Sequence, residues 1–582
     1  MMRKIVFLII AALVLTSVLP ASAAGPLPRN NNAKTEVLIS MSGETDALAA
    51  YLQKNGGVVR TKYQNVPALA AAVPTLKLGE IASFPGVLSI TRNVQVRLEP
   101  DPLERFGVEP RALLAATDQV KAIAPQSIQP SSLPAGFVNH TFTGADQVWQ
   151  ETNLGSGSII AVIDTGVTPI PCLEQAVIGA PGFPEGFNAT GDGISPTDPQ
   201  NYDHGTFVSF MAAASCALSF TDESDPLWQA IHAYQPQYTM DYVPLLGQAP
   251  GAKIYPVKVF SPVVGTYTWE VLLGLDHVIT LKKSGALDID IVNMSLAFPA
   301  FRDGKDLLDE FVEAAQAANI LVVVAAGNAG PTPNTVGNPA SSYAALSVGA
   351  LDYAASSRIL YEYLGLTSGL GAGTGMAMRP TSETRLAAFS SRGPLSDGRL
   401  APEITALGWL NFGCSQNFCD WWSGTSFASP TVAGGAALLN AWWESQGQDT
   451  DPVALENALL KGANPNEVGL EWRRPEDQGY GVLDIPAALA VLKSGDLKLQ
   501  EKKLSQLKPN ILGMPVKGKT ETWSSGLVSM NPSLFYDLIF EISPDTSRVV
   551  IEVSGIDVPD NSATTVWSNS LWFNLGSAAR SA

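Results

Sequence analysis

Between residue 139 and about residue 493 the chain alternates two patterns. Runs such as GSIIAVI, AKIYPVKVF, DIDIVNMSL and NILVVVAA are almost continuously apolar and rich in Val and Ile. Such runs suit parallel strands covered on both faces. The stretches WEVLLGLDHVITLKKSG and KDLLDEFVEAAQAAN space their apolar residues as one face of a helix does. Repeated strand–helix–strand units predict an α/β domain, a mostly parallel open sheet covered by helices. Ligands of such sheets sit beyond the carboxyl ends of the strands. Asp164 directly follows the first run, Ser295 comes at the end of the DIDIVNM stretch of the third and Asn328 follows the fourth. Three polar residues are thereby predicted to share one rim.

The pattern changes on either side of this domain. VLISMS predicts a strand, ETDALAAYLQKNGG a helix ending in glycines, and VVRTKYQNVPALAAAVP two short strands. TLKLGEIASFPGV predicts a second helix and LSITRNVQVRLE a closing strand. That order is a small α+β, ferredoxin-like arrangement, assigned to residues 24–100. Residues 101–138, with APQSIQPSSLPAG at their core, have the Pro- and Ser-rich composition of a linker. Residues 494–582 carry short alternating strands, SLFYDLIFEIS and RVVIEVSGIDV, and read as a β-sandwich-like domain without a clear closing strand. At the other end, Arg3 and Lys4, the apolar run Ile5–Leu19 and Ala21-Ser22-Ala23 form a secretory signal over residues 1–23. The expectation is a secreted, extracellular protein without stable membrane insertion.

Composition narrows the partners. With 46% hydrophobic and 15% charged residues, the 582-residue chain is suited to large packed cores. A formal net charge of -18 argues against nucleic acid, because phosphate binding needs clustered Lys and Arg. The four cysteines, Cys172, Cys216, Cys414 and Cys419, permit two disulfides after export. Cys414 and Cys419 flank a short loop and are a plausible pair; four free buried thiols are the competing reading. Their spacing lacks the Cys-x-x-Cys halves of a zinc site.

Candidate chemistry gathers in AVIDTGV around Asp164, YDHGTF around His204, VVVAAGNAG around Asn328 and SGTSFASP around Ser426. A serine hydroxyl becomes a useful nucleophile only when a base removes its proton. Ser426 falls at the predicted start of a helix rich in small residues, where backbone N–H groups and the helix dipole face a developing anion. The plain alternative for such a serine is an N-cap. Of the four histidines, His277 lies in a helix pattern, His232 in an insertion and His140 near a domain boundary; His204 can serve as a base, or be a structural or solvated histidine, the commoner role of a lone one. Asp164 can orient its ring, or simply cap the turn before Gly166. The Asn328 amide can donate to an oxyanion, or serve as an ordinary loop residue.

These four segments, in the order Asp, His, Ser, resemble those of the subtilases, the subtilisin-like serine endopeptidases. The resemblance implies a triad of Asp164, His204 and Ser426, with Asn328 as oxyanion donor. It implies that residues 24–100 are an inhibitory propeptide, and that protein or peptide substrates bind as an added strand along Ser295, Leu296 and Ala297. Gly327 and Gly337 match segments lining the family's main side-chain pocket, and no acid there would select Lys or Arg, so apolar residues are expected to be preferred. No cofactor is implied for the chemistry; structural calcium is, without a readable ligand set. A monomer is expected. The chain departs from the pattern at Phe207, Phe210, Ala297 and Phe427, the last replacing an oxidisable Met. Ser215–Gly247 is longer than the usual connection and reads as a lid, a pocket rim or a surface elaboration. Acyl transfer to an amine by the same triad, and a catalytically silent binding protein, are the competing functions.

Overall fold

The computed structural model describes residues 33–96, 98, 102, 114–115, 119–128, 142–298 except 201, and 304–499 except 417, 468 and 471–473. The signal call, much of the linker call and nearly all of the C-terminal β-rich call lie outside the described residues. The chain forms two compact units. Of the described residues, one comprises 33–62 with Pro67–Asn93, the other Tyr63–Val66 with those from Val94 onward.

The smaller unit runs β1 (Lys34–Met41), α1 (Asp46–Lys54), β2 (Val58–Lys62), β3 (Ala68–Pro74), α2 (Leu78–Ala82) and β4 (Val87–Arg92). Its antiparallel sheet has the order β2-β3-β1-β4. Val37, Ile39, Leu69, Ala71 and Val73 bury one sheet face against Leu48 and Leu52 of α1 and Ile81 of α2. The predicted element order is present, but the second helix is shorter than its sequence pattern. Thr75–Lys77 is a 3-10 turn, and Pro85 with Gly86, at φ 85°, turns the chain soon after α2.

The larger unit includes a segment that composition alone reads as linker. Residues 120–122 form β5 and pair antiparallel with β7 (Ser215–Leu218), while Val120 and Ile128 enter the main core. A three-residue strand is too short to register as a period, so Pro and Ser content dominated the reading. The central sheet contains β6 (Ile159–Asp164), β9 (Lys253–Lys258), β10 (Ile291–Met294), β11 (Leu321–Ala325), β12 (Ala345–Asp352) and β13 (Ile404–Leu407). Their spatial order is β13-β12-β11-β10-β6-β9, every pair parallel. Phe187–Asn188 adds a parallel pair to β9, and Arg385–Leu386 adds an antiparallel pair to β12, so the sheet is mixed but mostly parallel.

Ser215–Gly247 is neither lid nor surface decoration. Its two ends, β7 and β8 (Val243–Leu246), pair antiparallel and are buried throughout. The intervening helix Pro226–Tyr234 buries Leu227, Trp228 and Ile231 in the same core. Both disulfides form: Cys172–Cys216 ties the loop beyond β6 to β7, and Cys414–Cys419 closes the hairpin of β14 (Asn411–Cys414) and β15 (Phe418–Trp422). That hairpin also pairs with the two-residue strand Leu114–Ala115.

Two helices place the polar residues. Helix α3 (His204–Ala213) starts at the carboxyl ends of the strands; beyond α4 (Pro226–Tyr234), α5 (Thr268–Ser284) and α6 (Leu307–Ala317), α7 (Thr425–Ser445) passes through the core. A helix apolar on all sides belongs inside. From Thr425 to Ala441 every residue of α7 is buried except Ser426. A side chain at Gly434 would begin 2.8 Å from the Ala212 carbonyl oxygen, so this glycine permits the close approach of α7 to α3.

Candidate active site

Asp164 is the last residue of β6 and is fully buried. Its carboxylate oxygens lie 2.9 and 3.0 Å from Nδ1 of His204, and Oδ1 also accepts the Thr165 N–H at 2.7 Å. This satisfies the anion and fixes the imidazole face. His204 opens α3, and the next N–H, of Gly205, donates to Thr165 Oγ1 at 3.0 Å. Any side chain at Gly205 would start 2.2 Å from the Gly166 carbonyl oxygen, so this glycine lets the helix start touch the turn after Asp164. Burial, with the Asp164 charge adding to it, pushes the neighbouring Tyr202 hydroxyl up to about 12.

Ser426 is the second residue of α7, and Phe427 after it packs against the His204 ring with centroids 5.5 Å apart. Ser426 Oγ donates to the Ser295 carbonyl at 3.3 Å. Asn328, buried just beyond β11, accepts the Thr425 N–H at 2.9 Å and the Thr425 hydroxyl at 3.0 Å through Oδ1. The Thr425 N–H can only donate, so it identifies the oxygen of the Asn328 amide and makes Nδ2 its donor atom. A methyl built on Gly424 would lie 3.6 Å from Asn328 Nδ2 and 3.5 Å from the Ser426 nitrogen. Two donors therefore flank one small space, and Gly424, at φ 152°, keeps it open.

Ser295, Leu296, Ala297, Gly327, Asn328 and Ser426 line a single cleft. Gly337 lies against it: a side chain there would begin 3.0 Å from Ala297 Cβ, and one on Gly327 would begin 3.2 Å from the same atom. A side chain at either glycine would thus press on the Ala297 methyl. Phe298 exchanges both backbone hydrogen bonds with Asn338, at 2.9 and 2.8 Å, which fixes this wall. Behind it Asn338 Nδ2 donates to the buried Asp309 at 2.8 Å. The structure brings all nine predicted site residues to one end of the sheet or its adjoining helices. It adds Thr425 and Thr165, which anchor Asn328 and the start of α3. Both sit inside the quoted motifs, so their proximity was the available signal.

Fold and polar grouping together define a serine-hydrolase arrangement on a parallel α/β sheet. Residues 155–481, more than half of the chain, match the model of the Subtilase family. The chain belongs to that family of serine peptidases. It is 29% identical over 363 residues to the serine protease AprX of Bacillus subtilis (strain 168), covering 59% of this chain and 67% of that protein. Pyrolysin of Pyrococcus furiosus is 29% identical over 318 residues, covering 50% of this chain and 21% of pyrolysin. The chain therefore spans about a fifth of pyrolysin and two thirds of AprX. Among solved structures, fervidolysin from Fervidobacterium pennivorans, a keratinolytic enzyme related to subtilisin, aligns with TM-score 0.53 at 20% identity. That alignment covers 80% of this chain and 62% of fervidolysin, and it concerns the fold.

Proposed function

We propose that the protein is a secreted endopeptidase that hydrolyses protein substrates through an acyl-enzyme on Ser426 and is made as a self-inhibited precursor. The observation carrying the reading is the buried Asp164 carboxylate on His204 Nδ1, at 2.9 and 3.0 Å, beside the start of α7, where Ser426 alone is not fully buried. In this reading Asp164 holds the tautomer that leaves Nε2 free to accept the Ser426 proton. Attack of Oγ on the peptide carbonyl forms a tetrahedral oxyanion between Asn328 Nδ2 and the Ser426 N–H. His204 then protonates the leaving amine, and water repeats the cycle to release the acid. Residues 34–92 supply the small domain expected of an inhibitory propeptide. Residues 119–128 are built into the catalytic core, which supports release upstream of Gln119. Apolar lining at Leu296 and Ala297 supports a preference for apolar side chains.

The chemistry calls for no cofactor. Among the described residues no three His, Cys, Asp or Glu side chains gather as a metal-holding group. The buried Asp192 carboxylate is taken by the Lys258 ammonium at 2.5 Å. Fluorophosphonate labelling, casein cleavage and precursor processing, compared between wild type and Ser426→Ala, test the reading. All three are expected to disappear in the variant. Products joined to an added amine, in place of free carboxyl ends, would favour acyl transfer instead.

A further inference from the structure

A helical carbonyl accepts the N–H four residues later. For Ser426 that residue is Pro430, which lies inside α7 and has no N–H. Its ring also crowds the carbonyl it should have satisfied. The residue carrying the candidate nucleophile is therefore denied its helix partner, within a helix buried on almost every side. Ser295 fills the gap: its Oγ lies 2.7 Å from the Ser426 carbonyl oxygen. A carbonyl only accepts, so the single Ser295 hydroxyl hydrogen is committed there. Two donors then converge on Ser295 Oγ, Asn293 Nδ2 at 2.9 Å and the Ser429 hydroxyl at 3.0 Å. Asn293, Ser295 and Ser429 are all buried, so water cannot take over these bonds.

We propose that the Ser295 hydroxyl is a positioning group that replaces the helix hydrogen bond deleted by Pro430 and so ties the Ser426 backbone to the central sheet. Ser295 follows β10 directly, and β10 lies between β6 and β11 in the sheet. The helix start is thus registered against the strands that carry Asp164 and lead to Asn328. The Ser295 backbone lines the substrate cleft, but its hydroxyl is turned to the protein. Proline at 430 and a hydroxyl at 295 form one device, whose second half is needed because of the first. The inference rests on Ser426 being the nucleophile.

The test is a double-mutant cycle on the full chain: wild type, Ser295→Ala, Pro430→Ala, the double variant, and Ser426→Ala as the inactive reference. kcat, KM and the fluorophosphonate labelling rate are measured for each, with folding checked by near-UV circular dichroism. Ser295→Ala is expected to lower kcat and labelling on the order of 10–100-fold, since misplacing a reacting group by an ångström costs about 10². KM should change little. Adding Pro430→Ala restores a backbone donor to Ser426 and is expected to recover about tenfold of the loss. A folded Ser295→Ala enzyme with wild-type kcat, a loss confined to KM, or a double variant no better than Ser295→Ala overturns the proposal. Should Ser295→Ala fail to fold, Ser295→Cys, a weaker donor of similar size, carries the same cycle. A kcat deficit in Ser295→Cys that Pro430→Ala leaves unmoved overturns it equally. Absence of labelling in wild type would instead remove the nucleophile assignment beneath it.

Discussion

The two helix starts that meet where Phe427 packs on the His204 ring are held in opposite ways. His204, at the head of α3, is fixed through its side chain by a buried anion, Asp164. Ser426, at the head of α7, is held through its main chain by neutral groups: the Ser295 hydroxyl on its carbonyl and the Thr425–Asn328 bonds beside it. The difference follows from what each group does in the proposed reaction. An imidazole that becomes a cation gains from a fixed carboxylate nearby. A hydroxyl that becomes an ester needs placement, and a second negative charge near the oxyanion would oppose the neutral donors. The histidine half is thus electrostatic and the serine half geometric.

The sharpest way to break that contrast is to neutralise its charged half. Asp164→Asn keeps the volume and offers Nδ1 the wrong partner, so kcat is expected to fall roughly 10⁴-fold. Thermal stability should change far less than activity. A loss below tenfold, measured on a specific peptide substrate, would show that the carboxylate does not govern the histidine. On the neutral half, Asn328→Ala removes one donor and is expected to lower kcat by about 10²–10³, with KM nearly constant. Equal losses in both variants would erase the distinction between the halves.

How much of this arrangement is legible in the sequence differs between the halves as well. Asp164, Ser295 and Asn328 could be set on one rim because Val- and Ile-rich runs mark buried parallel strands, and the central sheet has those runs in parallel register. The Asp164–His204 pairing was implied by motif resemblance, and the two oxygen–nitrogen distances supply its geometry. The Ser295 hydroxyl was not legible as a donor to Ser426, because it spans 131 positions and depends on a carbonyl freed by Pro430. Nor does the sequence disclose that a side chain at Gly327 or Gly337 would press on the Ala297 methyl. Residues 119–128 and the Ser215–Gly247 insertion were assigned to the outside by composition and length, yet both contribute to the core. Neither property reports on burial when strands are only three or four residues long.

Phe427 touches both halves, packing on the His204 ring and edge-on to Phe207 at 5.1 Å. Phe427→Met would place a thioether in this apolar contact, where oxidation to the polar sulfoxide disturbs packing. Wild type is expected to retain most of its activity in dilute peroxide, and the variant to lose it several times faster. Matched decay curves would show that the Phe427 contact is not what separates the two enzymes' sensitivity.

The smallest expected effect comes from a titratable group behind the geometric half. Asp309 accepts from Asn338, which pairs with Phe298 at the end of the Ser295 segment. Burial raises its carboxyl from 3.8 to about 7, and the nearby Asp306 adds to the rise. The Asp306 N–H, the Asn338 amide and Arg399 oppose it. Between pH 4 and 7 the unfolded chain has lost this proton while the folded chain keeps it, so stability falls as pH rises. The contribution is full below about 3.8, shrinks on the way to 7 and levels off above. Asp309→Asn cannot titrate, so its melting temperature relative to wild type should climb across that interval and stay constant beyond pH 8. Replacing a bond to the Asp306 N–H adds a constant offset, which leaves this slope readable. Parallel stability curves from pH 4 to 8 would mean the carboxyl is already ionised in the folded protein. The serine half would then rest on a buried charge as the histidine half does, and the contrast between them would narrow to the identity of the group each anion holds.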